Sequence, residues 1–115
     1  MNWTNLERIE QIEEVVLQSK TVTCLIFKHS TSCNMSAMAK YKLEEDWTFS
    51  ENEVRPFMVD ILKYKNISNA ISEEFQEYHQ SPQVLLIKEG ECFYEESHLD
   101  ISVEDIQETV VSVCN

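Results

Sequence analysis

One glycine and two prolines in 115 residues leave little room for flexible linkers. Gly90, Pro56 and Pro82 should each mark an unusual backbone position. No stretch approaches the roughly 20 apolar residues needed to span a bilayer. The opening residues, Met1-Asn2-Trp3-Thr4-Asn5-Leu6, lack the basic segment and apolar run of a secretion signal. The four cysteines, Cys24, Cys33, Cys92 and Cys114, form no CxxC pair and no zinc-ligand spacing. These absences predict a soluble chain in the reducing cytoplasm, with no disulfide framework and no membrane contact. Basic residues are scarce as well, nine against 21 acidic, for a net charge of −12. A chain this acidic repels nucleic acid.

What is present is enough for one globular domain covering residues 1–115, since 43% of the residues are hydrophobic. The charge is unevenly spread. From Val15 to Leu43 there is no Asp or Glu, while Lys20, Lys28, Lys40 and Lys42 occur there. That run carries +4, so the remainder carries −16. Buried elements account for the missing acids but not for the lysines. Lys28, Lys40 and Lys42 are either solvated or poised to attract an anionic small molecule, through contacts that would be weak and salt-dependent.

Cys33 lies inside this acid-free run, between an apolar stretch, Val22 to Phe27, and a helical pattern. A cysteine at a helix start faces unpaired N–H groups and the positive end of the helix dipole. Both favour the thiolate, which is the nucleophile in exchange chemistry. Three residues on stands Ser36, so a second thiol one helical turn away is missing. This points to mixed-disulfide chemistry by one thiol.

Thr4-Asn5-Leu6-Glu7 has capping-box spacing, and Leu6, Ile9, Ile12 and Val16 repeat at helical intervals, predicting a helix over 5–19. Val22 to Phe27 reads as a central strand buried on both faces. Ser30, Thr31 and Ser32 offer N-caps for a second helix with a stripe of Met35, Met38, Ala39 and Leu43, ending near Trp47. A second strand runs from Pro56, at its start, to Leu62, with Asp60 as a hydrogen-bonded strand-end carboxylate. Ile67, Ala70, Ile71, Phe75 and Tyr78 form the inner face of a third helix, with His79 on its surface and Ser81-Pro82 as its break. Gln83 to Lys88, a turn at Glu89-Gly90 and Glu91 to Glu95 make a hairpin. A last helix begins near Ser102 and turns Ile106, Val110 and Val113 inward. The result is an α/β fold of order α-β-α-β-α-β-β-α, a four-stranded mixed sheet with helices on both faces.

This order, a cysteine after the first strand and a proline before the third together resemble the thioredoxin fold, a likeness that covers nearly the whole chain. Val84 to Glu91 is similar to that superfamily's hairpin, and Pro82 falls at its cis-proline position. Within the superfamily three separated pieces resemble the monothiol bacilliredoxins of the YtxJ type. They are Phe27-Lys28-His29-Ser30-Thr31-Ser32-Cys33 followed by Ser36-Ala37, then Ser81-Pro82-Gln83, then Ser97-His98 with Asp100-Ile101-Ser102. The chain departs from that family at Asn34, where proline is usual. Asn34 restores an N–H near the sulfur and removes the proline's rigidity.

The resemblance implies that Cys33 takes bacillithiol, or a similar low-molecular-weight thiol, from protein mixed disulfides. S-thiolated client proteins would be its partners and the small thiol its co-substrate, with no tightly bound cofactor and a monomer or weak dimer as the working state. Pro82, read from the residues alone as a trans helix-breaker, becomes cis and sets the Ser81 backbone beside Cys33. Thr31, Ser32 and Asn34 would line the thiol site with Ser36, a plain helix serine or a hydrogen-bond donor to the sulfur. His29 would brace the loop or lend it charge, and His98 would stand near the proline loop. Cys24 reads as core, Cys92 as an edge residue, and Cys114 as a distant resolving thiol or a bystander. Other readings of the same residues are a reductase using a different thiol, a glutaredoxin-like iron–sulfur carrier, and a non-catalytic interaction module.

Overall fold

A computed structural model describes residues 1–114 of the chain, with side chains as far as Val113. Cys114 closes the last helix, and its side chain lies outside the described residues. The elements in chain order are β1 (Thr4–Asn5), α1 (Gln11–Gln18), β2 (Thr23–His29), α2 (Asn34–Asp46), β3 (Val54–Asp60) and α3 (Lys65–Phe75). They continue with β4 (Gln83–Lys88), β5 (Glu91–Ser97), a 3-10 turn at His98–Asp100 and α4 (Val103–Cys114). One mixed sheet runs in the order β1-β3-β2-β4-β5. β1, β3 and β2 are parallel, and β4 is antiparallel to both β2 and β5.

The sheet has five strands, not the expected four. The capping-box residues Thr4 and Asn5 pair with Phe57 and Met58 as an edge strand, and the Leu6 N–H bonds the Met58 carbonyl at 2.8 Å. The extended start lets Leu6 reach the core, 1% exposed, and α1 begins only at Gln11. Ile9, expected on the inner stripe, is 45% exposed. The Gln11 side chain ties down the turn before the helix, accepting from the Glu7 and Arg8 N–H groups at 2.7 and 2.9 Å, and α1 itself has no side-chain cap bond.

Alternation along β2 divides the core in two. Cys24 and Ile26 face α1 and α3, packing with Val15, Ile67 and Ile71. Leu25 and Phe27 face α2 and α4, packing with Leu43, Ile101 and Ile106. Every residue of β2 is buried, as a doubly covered central strand requires. Val113 and Met38, read as inward, are exposed at their helix surfaces.

Pro56 sits third in β3 rather than at its start. The Met58 carbonyl faces β1, so by alternation the Pro56 nitrogen faces the same side, where pairing begins only at Phe57. Its missing N–H therefore leaves no gap in the ladder. The turn between β4 and β5 puts Glu89 and Gly90 at φ 54° and 76°, the pair of positive values a two-residue hairpin needs. Ser19 holds it, its carbonyl accepting from Glu89 N–H and its hydroxyl from Gly90 N–H.

Candidate active site

β2 and β3 are parallel and end together at His29 and Asp60. Ligands of α/β folds gather at such carboxyl ends, where backbone groups run out of strand partners. The chain leaves β2 through Ser30, Thr31 and Ser32 and enters α2 at Cys33. Cys33 is the N-cap residue, extended at φ −111° and ψ 123°, and half-buried. Its N–H donates to the Ser30 carbonyl at 3.2 Å, and its own carbonyl accepts from Ala37 at 3.0 Å. None of the three hydroxyls before it caps the helix, which has no side-chain cap bond. The first N–H groups of α2 thus stay open beside the sulfur.

Ser36 is not a donor to that sulfur. It is fully buried, and its hydroxyl accepts the Ser30 N–H at 2.9 Å and meets His29 Nδ1 at 2.6 Å. The position where a resolving thiol would stand is therefore occupied by a hydroxyl fastening the loop to the helix. His29 continues a column of rings: Trp3 stacks on Phe27 at 5.6 Å and Phe27 on His29 at 5.4 Å. Burial, reinforced by the Lys40 ammonium, holds the imidazole below its ordinary value against the opposing pull of Asp60 and Glu44. The ring is neutral at pH 7, so His29 braces the loop and lends the thiol no charge.

The β2–β4 ladder ends at Lys28 opposite Gln83. Ser81 lies two residues before Gln83, just past the end of that ladder. The Ser81–Pro82 peptide bond is cis. The Ser81 hydroxyl is buried and has no hydrogen-bond partner among the described residues. The Pro82 carbonyl accepts the His98 N–H at 2.9 Å, so His98 joins the proline segment through its backbone while its side chain is exposed. Thr31, Ser32 and Asn34 are exposed around Cys33. Thr31 and His29 also line a cavity of about 210 Å³ with Asp60, Lys63 and Tyr64. A larger cavity, about 640 Å³, lies at the other end of β2 around Thr21, Thr48 and Lys88, away from Cys33.

The lysines do not assemble into a basic patch. Lys28 is on the opposite face of the sheet from His29 and fully buried. Lys40 is committed to Glu44 at 2.8 Å, and Glu44 also takes the Trp3 N–H at 2.7 Å. Lys20 lines the distant cavity, and Lys42 is exposed. His79 is not on a helix surface. α3 stops at Gln76 in the left-handed region, φ 54°, and His79 lies in the following loop against Lys28. Tyr78, placed on the inner face of that helix by its spacing, is 91% exposed. Asp60 accepts the Leu62 and Lys63 N–H groups as a strand-end carboxylate. Cys24 is buried in β2 and Cys92 half-buried on the edge strand β5.

The family model of the monothiol bacilliredoxin BrxC matches residues 4–106. The chain belongs to the monothiol bacilliredoxin family. Its fold is that of thioredoxin. A solved thioredoxin-fold structure assigned as an oxidoreductase superimposes with a TM-score of 0.79 at 24% identity, over 92% of this chain and 91% of that one. The Fasciola hepatica thioredoxin gives 0.73 at 16%, covering 94% and 96%. The Malassezia sympodialis thioredoxin gives 0.74 at 15%, covering 96% and 90%. The bacilliredoxin match brings Cys33 into a family of thiol oxidoreductases. Among the described residues no helix is long and apolar enough to cross a membrane.

Proposed function

We propose that this protein removes bacillithiol from protein mixed disulfides in the cytoplasm, through Cys33 alone. The Cys33 thiolate attacks the bacillithiol sulfur of the mixed disulfide, in line with the S–S bond. The bond to the client breaks, a bond between Cys33 and bacillithiol forms, and the client leaves as a thiolate that takes up a proton. A second bacillithiol thiolate then attacks the bacillithiol sulfur on Cys33. Bacillithiol disulfide departs and the Cys33 thiolate returns. The client sulfur is reduced and the sulfur of the free bacillithiol is oxidised, while the transferred bacillithiol keeps its oxidation level as the other half of the new disulfide.

The observation that carries this reading is the buried Ser36, bonded to His29 and Ser30 one turn from Cys33. With a hydroxyl built into that place, the adduct on Cys33 waits for an external thiol. The unpaired Ser81 hydroxyl and the open N–H groups of α2 add support, as polar groups available to a small polar thiol. The test offers the protein a bacillithiolated model client with excess bacillithiol. Free client thiol should appear catalytically, with bacillithiol disulfide in equal amount. A glutathionylated client with glutathione, turned over at the same rate, would contradict the choice of bacillithiol.

A further inference from the structure

Lys28 is the anomaly of the core. It lies on β2 between Phe27 and His29 with no exposed surface, and no carboxylate pairs with it among the described residues. Its ammonium donates to the Ser68 carbonyl at 3.0 Å and the Ser72 hydroxyl at 2.6 Å, both on α3. The third contact, at 3.2 Å, is to His79 Nδ1 in the loop. Three N–H bonds meet three acceptors, so the cation is fully used. Burial pushes Lys28 down to about 8. Burial, with Lys28 beside it, also holds His79 below its ordinary value, leaving Nδ1 free to accept at neutral pH.

A buried cation without a counter-ion costs stability, and an apolar side chain of similar length would fill the same space without that cost. Packing therefore gives no reason for a lysine here. What the lysine holds is the segment between α3 and β4. His79 stands two residues before Ser81. Gln83 grips the same segment, donating to the Tyr78 carbonyl at 3.0 Å and accepting the Gln80 N–H at 3.3 Å. On the other face of β2, His29 holds the start of α2 through Ser36. Consecutive residues of one strand thus fasten the two halves of the site.

We propose that Lys28 is a positioning residue, which through His79 fixes the 76–82 segment so that Ser81 meets the substrate disulfide beside Cys33. This inference rests on the exchange activity proposed above.

Because Lys28→Met changes the core, the decisive variant is His79→Leu, at an exposed residue. It should raise KM for a bacillithiolated client about tenfold while kcat stays within about twofold, the signature of lost substrate binding. Amide exchange over residues 77–82 should speed up about tenfold, with β2 and α2 unchanged. His79→Asn, which returns a carbonyl oxygen to the place of Nδ1, should bring both back to near wild type. Unchanged KM and unchanged exchange in His79→Leu would overturn the proposal, as would a fall in kcat at constant KM. Amide exchange needs no substrate. A wild-type protein that transfers nothing would remove the proposed function, and a tether seen by exchange alone would then have nothing to position and the role would fall with it.

Discussion

Cys24 and Cys33 are joined by a few residues of one strand and its exit loop, and their surroundings are opposite. Cys24 sits near the start of β2 with no exposed surface, its sulfur within 3.6 Å of the Val22 carbonyl, and burial pushes it up to about 11 despite the nearby Arg55. Cys92, on the far edge strand, is pushed up to about 12 by burial first and then by Glu77 and Glu95, against a backbone hydrogen bond with Tyr94 that pulls the other way. Cys33 stands where a strand has ended and a helix has not yet paired its first N–H groups. The same side chain is packing material where every backbone group is paired and, on the function proposed above, a nucleophile where donors are left over.

The largest expected effect separates these thiols directly. Cys33→Ser should abolish client turnover, at least a thousandfold by order of magnitude, because a hydroxyl does not exchange with a disulfide. Cys24→Ala and Cys92→Ser should each retain wild-type turnover in the same assay. If either replacement stopped turnover, the contrast would be drawn between the wrong residues.

Ser36→Ala probes how the reactive end is built. It leaves the Ser30 N–H and His29 Nδ1 without their buried partner, a loss of about 2–3 kcal/mol in chemical denaturation. Turnover should fall about tenfold as the loop before Cys33 loosens. An unchanged midpoint would mean that the hydroxyl braces nothing.

Stability against pH sharpens the other side of the comparison. Below pH 9 the folded and unfolded forms both keep the buried thiol protons. Between 9 and about 11 the unfolded chain gives up the Cys24 proton and the folded chain keeps it, so stability drains as pH rises. Cys24→Ala should remove its share of the alkaline loss and leave that of Cys92, whose thiol is pushed up further. Lys28 works in the opposite direction, adding stability between about 8 and 10.5, where only the folded form has released its proton. Denaturant midpoints across pH 7 to 11 for the wild type, Cys24→Ala and Lys28→Met separate the two. The smallest effect is Cys24→Ala at pH 7, where one small buried side chain is worth about 1–2 kcal/mol.

Most of the sheet is legible in the sequence because β2 and β4 are continuous apolar runs, and the Glu89-Gly90 turn and the Cys33 helix start are local signals. What stayed hidden depends on contacts distant in the chain. Thr4 and Asn5 look like a cap and become a strand because β3 offers a free edge and a place for Leu6. Tyr78 keeps helical spacing, yet α3 ends at the left-handed Gln76 before reaching it. The four lysines share an acid-free run but not a surface, since alternation sends Lys28 through the sheet to α3. The apolar run Val22 to Phe27 stops one residue short of Lys28, so its place inside β2 and its partner across the fold, His79, show only in the structure.

On the proposed function, Cys33 alone carries the small thiol. Site-resolved mass spectrometry of the protein mixed with one equivalent of bacillithiolated client, without free bacillithiol, tests it most directly. A single bacillithiol adduct should form, on Cys33, in amount equal to the client thiol released. An adduct on Cys24, Cys92 or Cys114, or client thiol released with Cys33 left free, would contradict it.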